Sequence, residues 1–310
     1  MRVTASTFSN TLVDQLNRLA VRQYGLQNQA ATGQKVSLPE DNPSAIRRIL
    51  DMQAEASTLA QYRSNIDRHQ ELANATYNTI KALKTLSDRA GEIATSVDDL
   101  KSRDELNVLA TEINELVRQG VQLANSSNRG DYLFGGTRTD LAPFVIAEDA
   151  SGLITGVTYQ GNTTLAESEI SENETFTAQT LGANTTGSGP RGLITDSRSG
   201  ADFFNHLIAL RDHLLSGDTD AIATDRVNLA TDEDNFIIQM GTNGAIQARL
   251  ETAKAVATSR SESVSNLISR EVDADLAQTI VRLNETQTAH QAALQSGGTI
   301  LNRSLLDFLR

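Results

Sequence analysis

Residues 128–144 read NRGDYLFGGTRTDLAPF, and this stretch decides how the chain is organised. It places three glycines among aromatic side chains, between long runs of polar sequence with helical spacing. Its glycines and aromatics are Gly130, Tyr132, Phe134, Gly135, Gly136 and Phe144. Glycine permits backbone conformations that other residues avoid, and aromatic residues favour strands. We therefore predict a turn at which the chain leaves a helical layer, with the aromatic side chains anchoring that crossing against the helices.

The sequence before this turn predicts three helices. The first runs from Ala5 to about Thr32 and Gly33, because apolar residues recur there at steps of three and four and glycine closes helices well. Asp41 or Asn42 can cap a second helix that starts at Pro43 and continues for more than 50 residues. A corner at residues 96–106 precedes a third helix, from about residue 104 to 127.

After the turn the residue composition and periodicity change twice. Residues 129–200 are rich in Gly, Thr, Asn and Ser with short alternating runs, which predicts a small β-rich insertion. Helix resumes at Ala201, breaks at Ser216 and Gly217, and is predicted to continue from about Asp218 almost to the end.

Both ends carry a narrow apolar seam at steps of three, four or seven. Such stripes usually form an intramolecular core, but two helices alone offer little to cover them, so we expect the ends to pair and to bind other subunits. The predicted subunit-interface residues are Phe8, Leu12, Leu16, Leu19, Leu26, Leu276, Ile280, Leu283, Leu294, Leu301, Leu305, Phe308 and Leu309.

These patterns predict a mainly α fold: a long helical rod, paired N- and C-terminal coiled-coil helices, and a small β-rich outer domain inserted in the middle. The predicted domains are a terminal coiled-coil assembly domain (1–40 and 272–310), a helical rod domain (41–130 and 201–271) and the β-rich outer domain (131–200).

Composition excludes several function classes. The formal net charge of -12 argues against nucleic-acid binding, which needs clustered Lys and Arg. With no cysteine the chain has no disulfide and no thiolate chemistry. No run of 18 apolar residues predicts a membrane span, and the N-terminal segment lacks the apolar core of a cleaved signal peptide, so we expect no membrane insertion and export by another route if the protein is secreted.

No motif predicts catalysis or a bound cofactor. The stretch GSGPRG (187–192) has the spacing of a dinucleotide fingerprint, but ANTT (183–186) before it does not predict a buried strand and Pro190 stands where a helix should open. His206 and His213 are seven residues apart, too far for one metal ion without a further ligand-bearing element. Aromatics make up only 4% of the chain, which leaves little material for a lined pocket. We expect no enzyme activity, no cofactor and no metal.

The stretch AATGQKVSLPEDNPSA (30–45) carries a resemblance to the bacterial flagellin superfamily, specifically its hook–filament junction branch, hook-associated protein 3. Pro39 and Pro43 match that branch and depart from the flagellin form of the segment. GDYLFGGTRTDLAPF resembles the pattern that follows the first helical block in junction proteins. The resemblance covers residues 1–145 and 205–310, and residues 146–200 match no pattern.

The resemblance implies a structural adaptor of the extracellular flagellum that joins hook to filament by coupled folding and assembly of its terminal helices. The partners it implies are hook-associated protein 1, flagellin, further copies of the same chain in a ring, a cytoplasmic export chaperone and the flagellar type III export apparatus. The alternative is flagellin itself, the filament subunit, because the ending SLLDFLR resembles a flagellin ending as much as a junction-protein ending.

Overall fold

The computed structural model describes residues 5–36, 42–98 and 100–308, with side chains from 10–36, 42–98 and 100–299. Within them lie six helices and nine short strands. The helices are α1 (Ala5–Thr32), α2 (Pro43–Ser96), α3 (Arg103–Ala124), α4 (Phe203–Ser216), α5 (Thr219–Val272) and α6 (Leu276–Phe308). The strands are β1 (Ser127–Asn128), β2 (Asp131–Tyr132), β3 (Phe144–Glu148), β4 (Ile154–Tyr159), β5 (Ser168–Ser171), β6 (Glu174–Phe176), β7 (Leu181–Asn184), β8 (Gly192–Asp196) and β9 (Ala201–Asp202).

The mainly α fold with a β-containing segment in the middle is confirmed, as are the helix ends that local chemistry dictates. Gly33 follows α1 with φ +72°, the left-handed conformation that closes a helix. Pro43 opens α2, where its missing N–H costs nothing, and the side-chain oxygen of Asn42 accepts from the Ala45 amide at 3.1 Å. Asp41, the other predicted cap, lies outside the described residues.

The predicted continuous helix from Asp218 almost to the end is wrong, because the chain breaks between α5 and α6. Asp273 pairs with Gln34 as an isolated antiparallel bridge, and the amide of Ala274 donates to the carbonyl of Gly33 at 2.8 Å. Asp275 then caps α6 by accepting from the Gln278 amide at 3.0 Å. Backbone pairing with a segment far away in sequence interrupts a helix that local periodicity alone would have continued.

The chain forms two compact units. The terminal unit comprises residues 1–58 and 260–310, and the central unit comprises residues 59–259. Helices α2 and α5 each contribute to both. In the terminal unit α1 packs along α6, which confirms that the two ends pair. The further division of the central part into a rod domain and an outer domain stays a prediction.

The β-rich segment of the central unit consists of small separate sheets. Four of them are present in the described chain: β1–β2, β3–β4 and β5–β6 are antiparallel pairs, and β7–β8–β9 is a mixed three-stranded sheet. Two-stranded sheets are marginal by themselves, so these hairpins depend on the helices beside them. Phe144 on β3 and Ile154 on β4 bury their side chains in the same core as the helices.

A column of aromatic rings forms the centre of that core. Phe144 contacts Phe204 with ring centroids 5.6 Å apart, Phe204 contacts Phe203 at 5.7 Å, and Phe203 contacts Phe236 at 5.1 Å. The first and last of these pairs are edge-to-face, at 77° and 81°, and such pairs add to the free energy gained by burial. The column thus joins β3 to α4 and α5 through side chains that are almost wholly buried.

Two glycines of α4 and α5 should respond in opposite ways to alanine. Gly217 ends α4 at φ +73° and donates its amide to the His213 carbonyl at 2.9 Å, so Gly217→Ala should lower the free energy of unfolding by about 1–2 kcal/mol. Gly241 lies inside α5 with open space where a Cβ would be, so Gly241→Ala should raise it by about 0.5–1 kcal/mol. Urea unfolding followed by circular dichroism measures both, and equal signs would contradict the assigned conformations.

Candidate assembly site

The predicted interface residues of α1 lie on the side that packs against α6. Leu12, Leu16 and Leu19 are half-buried, and Leu26 is buried. Their spacing of three, four and seven keeps them on one stripe, as the periodicity indicates. The side chain of Phe8 lies outside the described residues, although its backbone belongs to α1.

The buried positions of α6 are small or polar and were missed by reasoning from apolar periodicity. Thr279, Thr286 and Gly297 are buried, and Leu283 between the threonines is half-buried. A Cβ built on Gly297 would stand 2.5 Å from Cδ2 of Leu12, so the leucine occupies the space that a larger residue would fill. Such a close approach of two helices needs a residue without a side chain.

Three of the predicted interface residues of α6 are exposed, in contrast to Leu283. Leu276, Ile280 and Leu294 are 47%, 50% and 51% exposed. The chain also exposes apolar side chains that the sequence analysis did not select: Val13, Val21, Tyr24 and Val281. The side chains of Leu301, Leu305 and Phe308, and the whole of Leu309, lie outside the described residues.

The predicted crossing turn lies between α3 and β3. Phe134 and Phe144 are buried, and Tyr132 is half-buried. Gly130 and Gly136 have φ values of +96° and +69°, which only glycine adopts readily. A Cβ on Gly135 would stand 2.3 Å from the carbonyl oxygen of Arg138. The positive φ values and the lack of room for a Cβ explain why glycine occupies these three positions. Their role in a domain crossing stays a prediction.

A side chain that the sequence analysis missed holds the outgoing end of this crossing. Asn125, at the C-cap of α3, donates from Nδ2 to the Phe144 carbonyl at 2.8 Å and accepts at Oδ1 from the Phe144 amide at 2.9 Å. The amide group thus pairs with β3 as a neighbouring strand would. The predicted third helix extended to residue 127 and included Asn125, so the residue pattern held no signal for this role; the helix ends at Ala124 and makes Asn125 its C-cap.

A buried polar cluster holds the β3–β4 hairpin to α3 and α4. Arg211 on α4, only 3% exposed, donates from Nη1 to Oδ1 of Asn114 at 3.0 Å and to the Ile154 carbonyl at 2.5 Å. Asn114 Oδ1 also accepts from the Ile154 amide at 3.1 Å. Buried polar groups of this kind are costly when unpaired, so each partner specifies where the hairpin sits.

The return crossing, from β9 into α4, depends on a buried carboxylate of α5. Asp232 accepts from the Asp202 amide at 2.9 Å and lies 2.8 Å from Nδ1 of His206. Burial raises the pKa of Asp232, and the hydrogen bond with His206 opposes that rise. Burial by itself lowers the pKa of His206, but the hydrogen bond and charge of Asp232, with the nearby Asp202 and Asp225, raise it above its ordinary 6.5.

The described residues form no metal site, membrane-spanning helix or phosphate-binding loop. Among them no group of three or more His, Asp or Glu side chains could hold a metal ion. No helix in the described ranges is long and apolar enough to cross a membrane. A buried strand, β7, does precede GSGPRG, contrary to the expectation from the sequence. Residues 187–191 are exposed and Gly192 begins β8, so the stretch leads into a strand and not a helix and lacks the geometry of a phosphate-binding loop.

Replacing Asn125 should destabilise the crossing. Asn125→Ala leaves the amide and carbonyl of the buried Phe144 without partners, so we expect the free energy of unfolding to fall by about 1–3 kcal/mol. Asn107→Ala, on the exposed face of the same helix, is the matched control and should change it by less than about 0.5 kcal/mol. Chemical unfolding of both variants measures this, and similar losses would contradict the role of Asn125.

The His206–Asp232 pair should make stability depend on pH. Because the pKa of His206 is raised in the folded state, folding takes up a proton, and its contribution is fully present below about pH 6.5 and lost as pH rises through the raised value. The difference in free energy of unfolding between the native chain and His206→Gln should therefore shrink from pH 6 to pH 8.5. His290→Gln is the control, and a difference that grew with pH would contradict the assigned direction.

Comparison with known proteins agrees with this geometry at the level of fold. No family model matches the chain, and no curated protein matches it. Among solved structures, one described as a flagellar hook-associated protein from Vibrio parahaemolyticus superposes with a TM-score of 0.62 at 16% identity, covering 75% of this chain and 100% of that one.

Two structures of FlgL are also similar. FlgL from Bacillus cereus has a TM-score of 0.54 at 20% identity and covers 69% of this chain and 97% of its own. FlgL from Xanthomonas campestris has a TM-score of 0.55 at 15% identity and covers 70% and 98%. At such identities the similarity shows a shared architecture, so the chain has the fold of the solved flagellar hook-associated proteins.

Proposed function

We propose that this chain is a structural subunit of the bacterial flagellum that joins the hook to the filament. The observation that carries the proposal is the fold shared with hook-associated proteins over 69–75% of this chain and nearly the whole of theirs. Residues 30–45 and 128–144 supply independent support, because both resemble junction-protein motifs. The proposal includes no catalytic step, no cofactor and no metal.

The terminal helices are the proposed assembly site. In this unit the fully buried positions of α6 are small or polar and Leu283 is half-buried beside them, whereas Leu276, Ile280 and Leu294 stay exposed and available. Helices with one partner gain little stability, because most of the stability of a helix comes from packing of its apolar face. Contacts with neighbouring subunits would therefore order and stabilise these helices together.

The magnitudes favour several neighbours over one. Full burial of a leucine or isoleucine contributes about 1.5–3 kcal/mol, so covering the remaining half of these three side chains contributes about 2–4 kcal/mol. Fixing one residue of backbone costs about 1–2 kcal/mol. The free energy gained by covering three side chains therefore offsets the ordering of only a few residues. Coupled folding and assembly requires contacts along much of both helices. A ring of copies between two other proteins would provide such contacts.

The partners that fit this role are hook-associated protein 1 on the hook side, flagellin on the filament side and further copies of this chain. Export through the flagellar type III apparatus, with a cytoplasmic chaperone on the C-terminal helix, and a location in the extracellular flagellum complete the proposal. In this arrangement residues 131–200 form an outward β-rich domain on a helical rod made of residues 41–130 and 201–271, with residues 1–40 and 272–310 as assembly domain. Flagellin itself is not favoured, because the similar structures are described as hook-associated proteins.

The test is the copy number of this chain, by quantitative mass spectrometry, in flagella purified with hooks attached. A junction subunit should be present in a small, fixed amount relative to the filament protein. Ile280→Glu/Leu294→Glu, placed on the exposed face of α6, should remove the chain from purified flagella, since buried unpaired carboxylates oppose packing. Val108→Glu, an equivalent exchange on the exposed face of α3, is the matched control and should assemble normally.

Two outcomes would contradict the proposal. A chain that makes up the bulk of the filament is a flagellin, and normal assembly of the double variant places the interface elsewhere. Coupled folding has its own readout, because the backbone amides of α1 and α6 should exchange with solvent much faster in the isolated chain than in flagella.

A further inference from the structure

A cleft in the central unit has no role in the proposed assembly. It lies where α2 passes the β1–β2 hairpin and β5, and it consists of two adjoining cavities of about 470 Å³ and 410 Å³. Arg68, Glu71 and Arg129 line both cavities and form the boundary between them. Volumes of this size are those of small-molecule binding sites.

The smaller cavity has an excess of positive charge. Its two acids are already neutralised: Asp67 pairs with Lys254 at 2.7 Å, and Glu71 pairs with Arg129 at 2.5 Å. Arg63 and Arg68 line the same cavity and have no ion pair or hydrogen bond within the part of the chain that the structure describes. Two unpaired guanidinium groups are notable in a chain of net charge -12, and guanidinium is the side chain best shaped to bind a carboxylate.

The larger cavity has a different wall. Its lining includes hydroxyls, amides and carboxylates, which exchange hydrogen bonds with hydroxyl groups, together with apolar side chains and the half-buried phenol ring of Tyr132. The polar groups of this wall are Asn128, Asp131, Thr137, Thr139, Glu167, Ser168 and Gln179. The phenol ring of Tyr132 has an apolar face and a polar hydroxyl, which suits a ligand that carries hydroxyl groups and an apolar C–H face.

A buried histidine in this wall lacks a partner. His69 is 7% exposed, its Nε2 lies 2.7 Å from Oγ of Ser168, and its Nδ1 has no hydrogen-bond partner among the described residues. Burial, together with the charge of Arg68, lowers the pKa of His69, so the ring is neutral at pH 7. Nδ1 is also closed off from solvent, so it is an unsatisfied polar atom of the interior and offers no contact to a ligand in the cleft.

We propose that this cleft binds an acidic saccharide, with the carboxylate held by Arg63 and Arg68 and the hydroxylated ring against Tyr132 and the polar wall. The carboxylate gains charge-assisted hydrogen bonds from guanidinium groups that have no other partner. The hydroxyls donate to the carboxylates of Asp131 and Glu167 and accept from the amides. All the lining residues belong to the central unit, so the site is independent of the assembly of the terminal helices.

The test is isothermal titration calorimetry of the full chain with three probes: trigalacturonic acid, maltotriose and inorganic phosphate. Trigalacturonic acid should bind at least about tenfold more tightly than either of the others, because only it offers both the carboxylate and the hydroxylated rings. Arg63→Gln/Arg68→Gln should weaken its binding by about tenfold or more, whereas Arg47→Gln, on the same helix outside the cleft, should leave it unchanged. Circular dichroism confirms that each variant is folded.

A second readout locates the ligand. Trigalacturonic acid should protect Arg63 and Arg68, but not Arg47, from modification by phenylglyoxal, as followed by mass spectrometry. Equal binding of phosphate would show a general anion site and overturn the saccharide assignment. No binding of trigalacturonic acid, or binding that the double variant retains, would overturn the site itself.

Discussion

The β-rich segment stays joined to the helices because the backbone groups at its two crossings find partners on helical side chains. Asn125 provides both a donor and an acceptor to Phe144 where the chain leaves α3, and Asp232 accepts the amide of Asp202 where the chain returns to α4. Separate two-stranded sheets could not satisfy these groups by themselves. Phe144, whose backbone Asn125 holds at the outgoing crossing, is also the first ring of the aromatic column that packs against the helices.

The terminal unit has the opposite character. Its two long helices meet along a face in which α6 contributes Thr279, Thr286 and Gly297, and this choice lets Leu12 approach closely but buries little apolar surface. Leu276, Ile280 and Leu294 of α6 are therefore left for other contacts. A pair built in this way is poorly suited to independent stability and well suited to a role in an assembly, which is the physical link between this unit and the proposed junction function.

The central unit carries a local excess of positive charge although the net charge of the chain is -12. An acidic chain would be expected to repel anions, yet the wall of the cleft on α2 neutralises Asp67 and Glu71 by ion pairs and leaves Arg63 and Arg68 without partners. Local pairing decides what a surface attracts at short range, because screening removes the influence of distant charges beyond about 8–10 Å at ordinary ionic strength.

Much of this architecture was determined by the sequence itself. Periodicity and local end signals such as Gly33, Asn42 and Gly217 predicted most helix bounds, because these depend on residues close together in the chain. Only the tertiary structure decided the break at Asp273, which needs Gln34 as a pairing partner, and the choice of Thr279 and Thr286 over Leu276 and Ile280 for the face against α1. The same is true of Asn125 and of the cleft. Their partners lie far away in sequence, and no local pattern records which distant groups the fold brings within hydrogen-bonding distance.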